Sequence, residues 1–324
     1  MRDLSVIIPA RNEMFLAKTI ENVLENIEVD TEVIAICDGN WPEPAVMDHP
    51  RVVIVHVTEP IGQRASTNLG ARISQAKYIM KLDAHCAVGP GFDRILMEDC
   101  KPDWTMIPLM YRFRAFDWVC QDCGNRLYQG TREETCGEIK VDAKGRSWTK
   151  KLGCGSHNIE MDVVWEPRWK KYSVSWRFNH EMQFKYWKGH CKRPEAQGDL
   201  IETMSFIGAC MLMERDRFWE LEGMDEAHGS WGQFGTEIAC KTWLSGGKLM
   251  TSRKTWFGHM FRTGNFRGAF EGNTFPYFLA ESDVSEARKY SQDLWMNDKW
   301  DKAIHPLSWL VDKFKPVPDW HDKS

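Results

Sequence analysis

Asp83 and His85 stand two residues apart, directly behind the apolar run from Tyr78 to Leu82. A strand that ends in a carboxylate and then an imidazole can aim both at one side of the following turn, where together they can ligate a divalent ion. An ion held there could bridge the two phosphates of a nucleoside diphosphate and stabilise it as a leaving group. Taken alone, Asp83-Ala84-His85 is also what a strand-end Asp capping a turn looks like. A second cluster begins at "VCQDCGN", where Cys120 and Cys123 share a CxxCG turn, and continues with Cys136, Cys154 and His157. The CxxC turn holds two thiolates at the spacing that tetrahedral Zn2+ requires, so two of the later residues would complete a structural zinc site. The later intervals, twelve and seventeen residues, are loose, and ordinary buried thiols are the competing reading.

The elements that must position these residues are legible around them. From Leu4 to about Pro108, short β-rich runs (LSVIIP, EVIAICD, VVIVHV, YIMKLD, WTMIPL) alternate with helix-like segments over Glu13 to Ile27 and Gly62 to Gln75. Such alternation predicts βαβ units and a parallel sheet, and ligands of such sheets bind beyond the carboxyl ends of the strands. Pro9-Ala10-Arg11-Asn12-Glu13, Asp38-Gly39-Asn40 and Asp83-Ala84-His85 follow three of those runs and are predicted on one edge. The pattern breaks down from about Ala115 to Glu202. A buried strand over Met204 to Leu212 and a short helix over Ile238 to Leu244 follow, then a Trp- and Pro-rich tail.

The 324 residues are 43% hydrophobic and carry a net charge of −4, which gives no whole-chain case for nucleic acid or membrane. No run reaches the eighteen or so apolar residues of a membrane span, and the opening residues are too mixed for a signal-peptide core. A cytoplasmic protein with its ten cysteines reduced is the expectation.

On these residues the chain resembles the GT-A glycosyltransferases of the family-two type, which carry a PxxNE-like stretch after the first strand, an acidic residue after the second and a DxD or DxH metal motif. It is most similar to the polypeptide N-acetylgalactosaminyltransferases, through Asp83-Ala84-His85-Cys86, "IGQRASTNLGA" (Ile61 to Ala71), "GMDEAHGSWGQFGTEIACKTWLSGG" (Gly223 to Gly247) and "WFGHMFR" (Trp256 to Arg262). The resemblance implies a GT-A, Rossmann-like mixed and mostly parallel sheet flanked by helices, a UDP-sugar donor and Mn2+ or Mg2+. It implies His259 as third ligand beside Asp83 and His85, Asp38 as the uracil contact, Arg64 in the loop facing the nucleotide and Arg262 next to the metal site. Pro9, Arg11 and Glu13 would belong to the donor side, although Glu13 also fits a helix start. Trp231 would sit in the acceptor loop, as a stacking surface or as core. The family's acidic position there is occupied by Phe234. Glu237 or Asp225 could supply a carboxylate instead, so the stereochemistry stays open, with retention implied by resemblance only.

The expected organisation is a nucleotide-sugar-binding half over 1–114, a Cys/Trp/basic insertion over 115–202, an acceptor and metal-completing part over 203–275 and a tail over 276–324. Between Lys140 and Arg193 thirteen Lys or Arg face five Asp or Glu, interleaved with Trp148, Trp165, Trp169, Trp176 and Trp187. A basic surface with aromatic platforms suits a phosphate backbone and exposed bases. A hydroxymethylated pyrimidine in DNA, flipped from its stack, of the sort bacteriophages glycosylate, is therefore the expected acceptor. A glycan, lipid-linked sugar or protein acceptor is the alternative. A catalytically silent nucleic-acid-binding module on the same scaffold is the reading from another class.

Overall fold

The computed structural model describes residues 2–129, 132, 134–137, 140–141, 147–148, 153–261 and 281–320. Its first half follows the expected alternation: β1 (Leu4–Ala10), α1 (Leu16–Asn26), β2 (Thr31–Asp38), β3 (Val52–Val57), α2 (Gly62–Ile73), β4 (Tyr78–Leu82), β5 (Cys86–Val88) and α3 (Phe92–Asp99). β1 and β2 are nearly continuous apolar runs because helices and neighbouring strands cover both faces of a parallel sheet. In α1, Leu16, Ile20 and Val23 fall at i, i+4 and i+7 and are fully buried, each stabilising the fold by about 1.5–3 kcal/mol.

The second half is antiparallel in character. β6 (Trp104–Cys120) runs far beyond the expected end at Pro108, followed by β7 (Arg126–Tyr128) and the two-residue strands β8 (Lys140–Val141) and β9 (Ser147–Trp148). Then come β10 (Ile159–Ser173), β11 (Trp176–Phe178), β12 (Phe184–Tyr186), β13 (Leu200–Glu202), β14 (Cys210–Glu214), α4 (Arg215–Glu220), α5 (Phe234–Leu244), β15 (Lys248–His259), α6 (Glu281–Met296) and α7 (Leu307–Lys313). One mixed sheet runs β13-β15-β6-β14-β4-β1-β2-β3, with β7 and β10 added to β6 and β5 added to β15. It is parallel through β4-β1-β2-β3 and between β6 and β15, and antiparallel elsewhere.

This topology corrects the expected division at 114/115, which falls inside β6. A strand cannot be cut between domains while its ladder continues: the inner part of β6 pairs with β14 and β15, and the outer part with β7 and β10. The outer part is an arm whose base packs on the sheet's ligand-facing edge through Phe113, Phe116 and Trp165 against Phe15 and Met260. The tail joins the main core through Trp295, Trp300, Leu310 and Phe314. Two cations of the basic stretch hold that tail: Arg177 donates to the Pro318 carbonyl and to Asp319, and Arg193 to the carbonyls of Phe314 and Pro316. Among the described residues no helix is long and apolar enough to cross a membrane.

Candidate active site

The three polar strand ends meet, as expected, on one cleft of about 620 Å³ lined by Pro9, Arg11, Glu13, Asp38, Asp83 and His85 among others. Sheet register completes the group. β5 pairs antiparallel with β15 so that His259 lies opposite Cys86, one residue from His85. The His259 Nε2 is 3.2 Å from Asp83 Oδ2 and 3.2 Å from His85 Nε2. The three side chains offer ligand atoms within 4.8 Å of one another.

The donor set fits a divalent ion. His85 Nδ1 lies 2.9 Å from Glu13 Oε2; with its proton on that bond, the Nε2 lone pair faces the group, a carboxylate-backed histidine of the kind metal sites use. Glu13 also accepts the Phe15 amide, so its helix-start and site roles coincide. Burial pushes both imidazoles below the ordinary histidine range, against the pull of Asp83, which keeps them neutral and able to ligate. Burial tends to raise the Asp83 carboxyl, but Lys81 and His259 outweigh it and hold the group ionised. Asp83, His85 and His259 would therefore hold the ion.

Lys81 was missed by sequence reasoning. It is 1% exposed, donates to Asp83 Oδ1 and, at 2.7 Å, to the Gly208 carbonyl, and lies 4.7 Å from the centre of the Phe234 ring. Its signal was a lone lysine inside an apolar strand, which is rarely buried without a partner. Arg112 and Arg288 also line the cleft and were not singled out.

Other expected residues lie elsewhere or act indirectly. Asp38 lines the cleft, but its carboxylate accepts from Arg11 Nη2 (2.6 Å) and Nε (3.0 Å) and from the amides of Ile61 (2.6 Å) and Gly62 (3.1 Å). Those bonds commit it to fixing Arg11 and the start of α2.

Arg64 does not face the cleft. It is 1% exposed, ion-paired to Glu237 (2.8 Å), and it donates to the carbonyls of Gly229 (3.1 Å) and Gly232 (2.6 Å). Glu237 is fully buried, 3.0 Å from Lys241, and accepts the Asp225 amide at 2.6 Å. Asp225 in turn caps the short turn Glu226–His228, and the His228 contact holds its carboxyl below the usual range. The expectation that Glu237 or Asp225 supplies an acceptor-side carboxylate is therefore corrected: both are tied into the network that pins the loop Gly229–Gly232 from behind. That loop brings Trp231 and Phe234 to the cleft wall. Arg262 lies outside the described residues.

Of the five Trp of the basic stretch, Trp176 and Trp187 are core and Trp165 packs on Phe15 and Phe113, whereas Trp169 is 57% exposed. Nothing is described of the Trp148 side chain. Trp176 therefore cannot serve as a stacking platform, because the main core has enclosed it.

A βαβ sheet whose strand ends gather an Asp-x-His pair and a distant His on one cleft is the arrangement expected of a metal-binding site on a GT-A scaffold. Comparison with known proteins agrees. Residues 5–117 match the model of glycosyl transferase family 2. The chain is similar to polypeptide N-acetylgalactosaminyltransferase 8 of Drosophila melanogaster, with 37% identity over 322 residues, 95% of this chain and 46% of that protein. It is also similar to putative polypeptide N-acetylgalactosaminyltransferase 13 of the same fly, at 22% over 280 residues, 80% of this chain and 42% of that protein. The crystal structure of GalNAc-T7 with UDP, GalNAc and Mn2+ shares the fold, with a TM-score of 0.57 and 18% identity over 91% of this chain and 49% of that one. The chain thus spans less than half the length of these relatives.

Proposed function

We propose that this chain is a UDP-sugar-dependent glycosyltransferase that moves an N-acetylhexosamine, GalNAc on the names of its relatives, to an acceptor hydroxyl with Mn2+ or Mg2+ as cofactor. The observation that carries the reading is the convergence of Asp83, His85 and His259 on the cleft. A divalent ion bound by them would neutralise charge on the departing UDP. Around that position Glu13 orients His85, and the loop pinned by Arg64 presents Trp231 to the sugar or acceptor.

The carboxylates among the described cleft residues also favour a stereochemical outcome. Glu13 is committed to His85, Asp38 to Arg11, and Asp83 to Lys81 and the metal group. With none left to act as general base on an acceptor hydroxyl, retention is favoured. In that step the bond between the anomeric carbon and the phosphate oxygen breaks, the new glycosidic bond forms on the same face, and the hydroxyl proton passes to the leaving phosphate.

The names of the relatives point to a polypeptide hydroxyl as acceptor. A second reading, a hydroxymethylated pyrimidine of DNA, is favoured by Trp169, exposed beside Lys170 and Lys171 on the arm. A transfer assay with a panel of UDP-sugars, on Ser/Thr peptides and on hydroxymethylpyrimidine DNA, read by mass spectrometry of products, decides between them. Full turnover by Asp83→Ala, or in excess EDTA, would sink the common reading.

A further inference from the structure

The thiols of the arm are the cluster that this function does not use. Cys120, Cys123, Cys136 and Cys154 bring their sulfurs within 4.8 Å of one another, with Cys120 and Cys154 at 3.5 Å and Cys123 and Cys136 at 3.6 Å. Four thiolates about 2.3 Å from one ion stand about 3.8 Å apart along the edges of a tetrahedron, close to both separations. The backbone is arranged for such a site twice over. In the CxxCG turn the Gly124 amide donates to the Cys120 carbonyl (2.9 Å) and the Cys120 amide to the Asn125 carbonyl (2.9 Å). Across the second pair the Gly155 amide donates to the Cys136 carbonyl (2.9 Å) and the Cys136 amide to the Ser156 carbonyl (2.8 Å). Gly124 and Gly155, at φ of 72° and 77°, supply the left-handed residue each turn needs. Asn125 Nδ2 donates to the Cys136 sulfur at 3.6 Å. His157, the competing ligand, is exposed and turned away, its Nδ1 2.9 Å from the Glu134 carbonyl.

We propose that Cys120, Cys123, Cys136 and Cys154 bind one structural Zn2+ that fixes the outer end of the arm built by β6, β7 and β10. Among the described residues the tip has little apolar packing to hold it. Its own apolar cluster is Cys120, Cys136 and Ile159 with Trp118 alongside, far short of the core a small unit needs without a metal or disulfide. An all-sulfur tetrahedral site selects zinc over Mn2+ or Mg2+, which prefer oxygen-rich octahedral shells. The Ile159–Cys120 pair closes the β6–β10 ladder, whose inner end carries Arg112 to the cleft. The ion is thus remote from the chemistry but attached to one wall of its site.

The test begins with whole protein purified without added metal and dialysed. Elemental analysis is expected to find one zinc per chain. The exposed ligands allow variants that should still fold: Cys123→Ser and Cys154→Ser should lose the zinc and melt at lower temperature. Cys191→Ser, outside the cluster, should keep it, as should His259→Ala, which removes a ligand of the nucleotide site instead. Ejecting zinc from the wild type with a mercurial should expose amides of β7 and of residues 154–160 to hydrogen exchange and leave β1 to β4 protected. Three results would overturn the proposal: wild-type protein without zinc, zinc that stays in Cys154→Ser but leaves in His259→Ala, or an intact mass four hydrogens low, which would make the pairs Cys120–Cys154 and Cys123–Cys136 disulfides.

Discussion

Replacing Glu237 with glutamine separates a structural from a catalytic carboxylate, because the two roles fail in different observables. The side chain is fully buried, 2.8 Å from Arg64 and 3.0 Å from Lys241, and accepts the Asp225 amide at 2.6 Å. Burial raises its pKa, but Lys241 and Arg64 outweigh that and keep it ionised. Glutamine removes the charge and turns an NH2 group towards one of two buried cations, leaving donor facing donor. Breaking a buried ion pair from one side costs about 3–5 kcal/mol. At roughly 2 °C per kcal/mol for a chain of this size, the melting temperature should fall by about 6–10 °C. Since Arg64 also holds the Gly229 and Gly232 carbonyls, the loop carrying Trp231 should loosen, raising KM for acceptor more than it lowers donor hydrolysis. Thermal denaturation alongside UDP-sugar hydrolysis and transfer kinetics reads both. A double-mutant cycle with Lys241→Met should show coupling of about 0.5–3 kcal/mol. If Glu237→Gln melts like the wild type and yet loses kcat a hundredfold or more, a positioned general base has been removed and the assignment of Glu237 to the loop network is wrong.

Four further outcomes follow from the geometry. His259→Ala should reduce Mn2+-dependent UDP binding at least tenfold, as measured by calorimetry with and without the ion, while the far-ultraviolet circular dichroism stays unchanged. Lys81→Met relieves a cation that touches the ligand carboxylate and should tighten Mn2+ by about tenfold, a factor that needs only about 1.4 kcal/mol of removed repulsion; weaker Mn2+ binding would make Lys81 a support of the site. Trp169→Ala should cost roughly 1–3 kcal/mol of DNA affinity if Trp169 stacks on a base and should leave UDP affinity alone; unchanged DNA binding would rule Trp169 out as a stacking platform. Burial, with Arg193 adding to it, pushes the His190 pKa down from 6.5 to about 4. Between those values the unfolded chain takes up a proton that the folded chain refuses, so stability is full above pH 6.5 and falls by up to about 3 kcal/mol as pH drops to 4. Urea midpoints at pH 7 and pH 4.5 check this, and His190→Asn should flatten the slope.

β1 and β2 were legible because parallel strands buried on both faces read as unbroken apolar runs, β3 and β4 as shorter runs although β3 is a part-exposed edge strand, and the ends of β1, β2 and β4 announced the cleft through Arg11, Asp38 and Asp83. His259 was reachable only by resemblance, since nothing local in "WFGHMFR" says that β5 will place His85 beside it. The arm was hidden by its charges. Asp117, fully buried in β6, is satisfied by Arg114 of the same strand and Arg126 of β7, so a strand whose period should be two reads as a polar loop. The count of cations in the basic stretch misled for the same reason. Arg177 and Arg193 look like a nucleic-acid face in sequence and are fasteners for the tail in space.

Phe234 shows why single positions mislead most at the site itself. Read along the chain, an apolar residue at the family's acidic position suggests a lost function. In the fold Phe234 covers Lys81, whose Nζ sits 4.7 Å from the ring centre and donates to Asp83 and to the Gly208 carbonyl. An acid at 234 would set a second carboxylate near that ammonium and divide its charge between two partners. With phenylalanine there, the ammonium is left to Asp83 and Gly208, and the ring's negative face contributes a weaker cation–π contact without competing for the proton donors. Asp83 is thereby the one carboxylate in the ligand group, and the described carboxylates of the cleft are all engaged with partners. The position that reads along the chain as a lost function is, in the fold, the cover of the ammonium that holds Asp83 ionised.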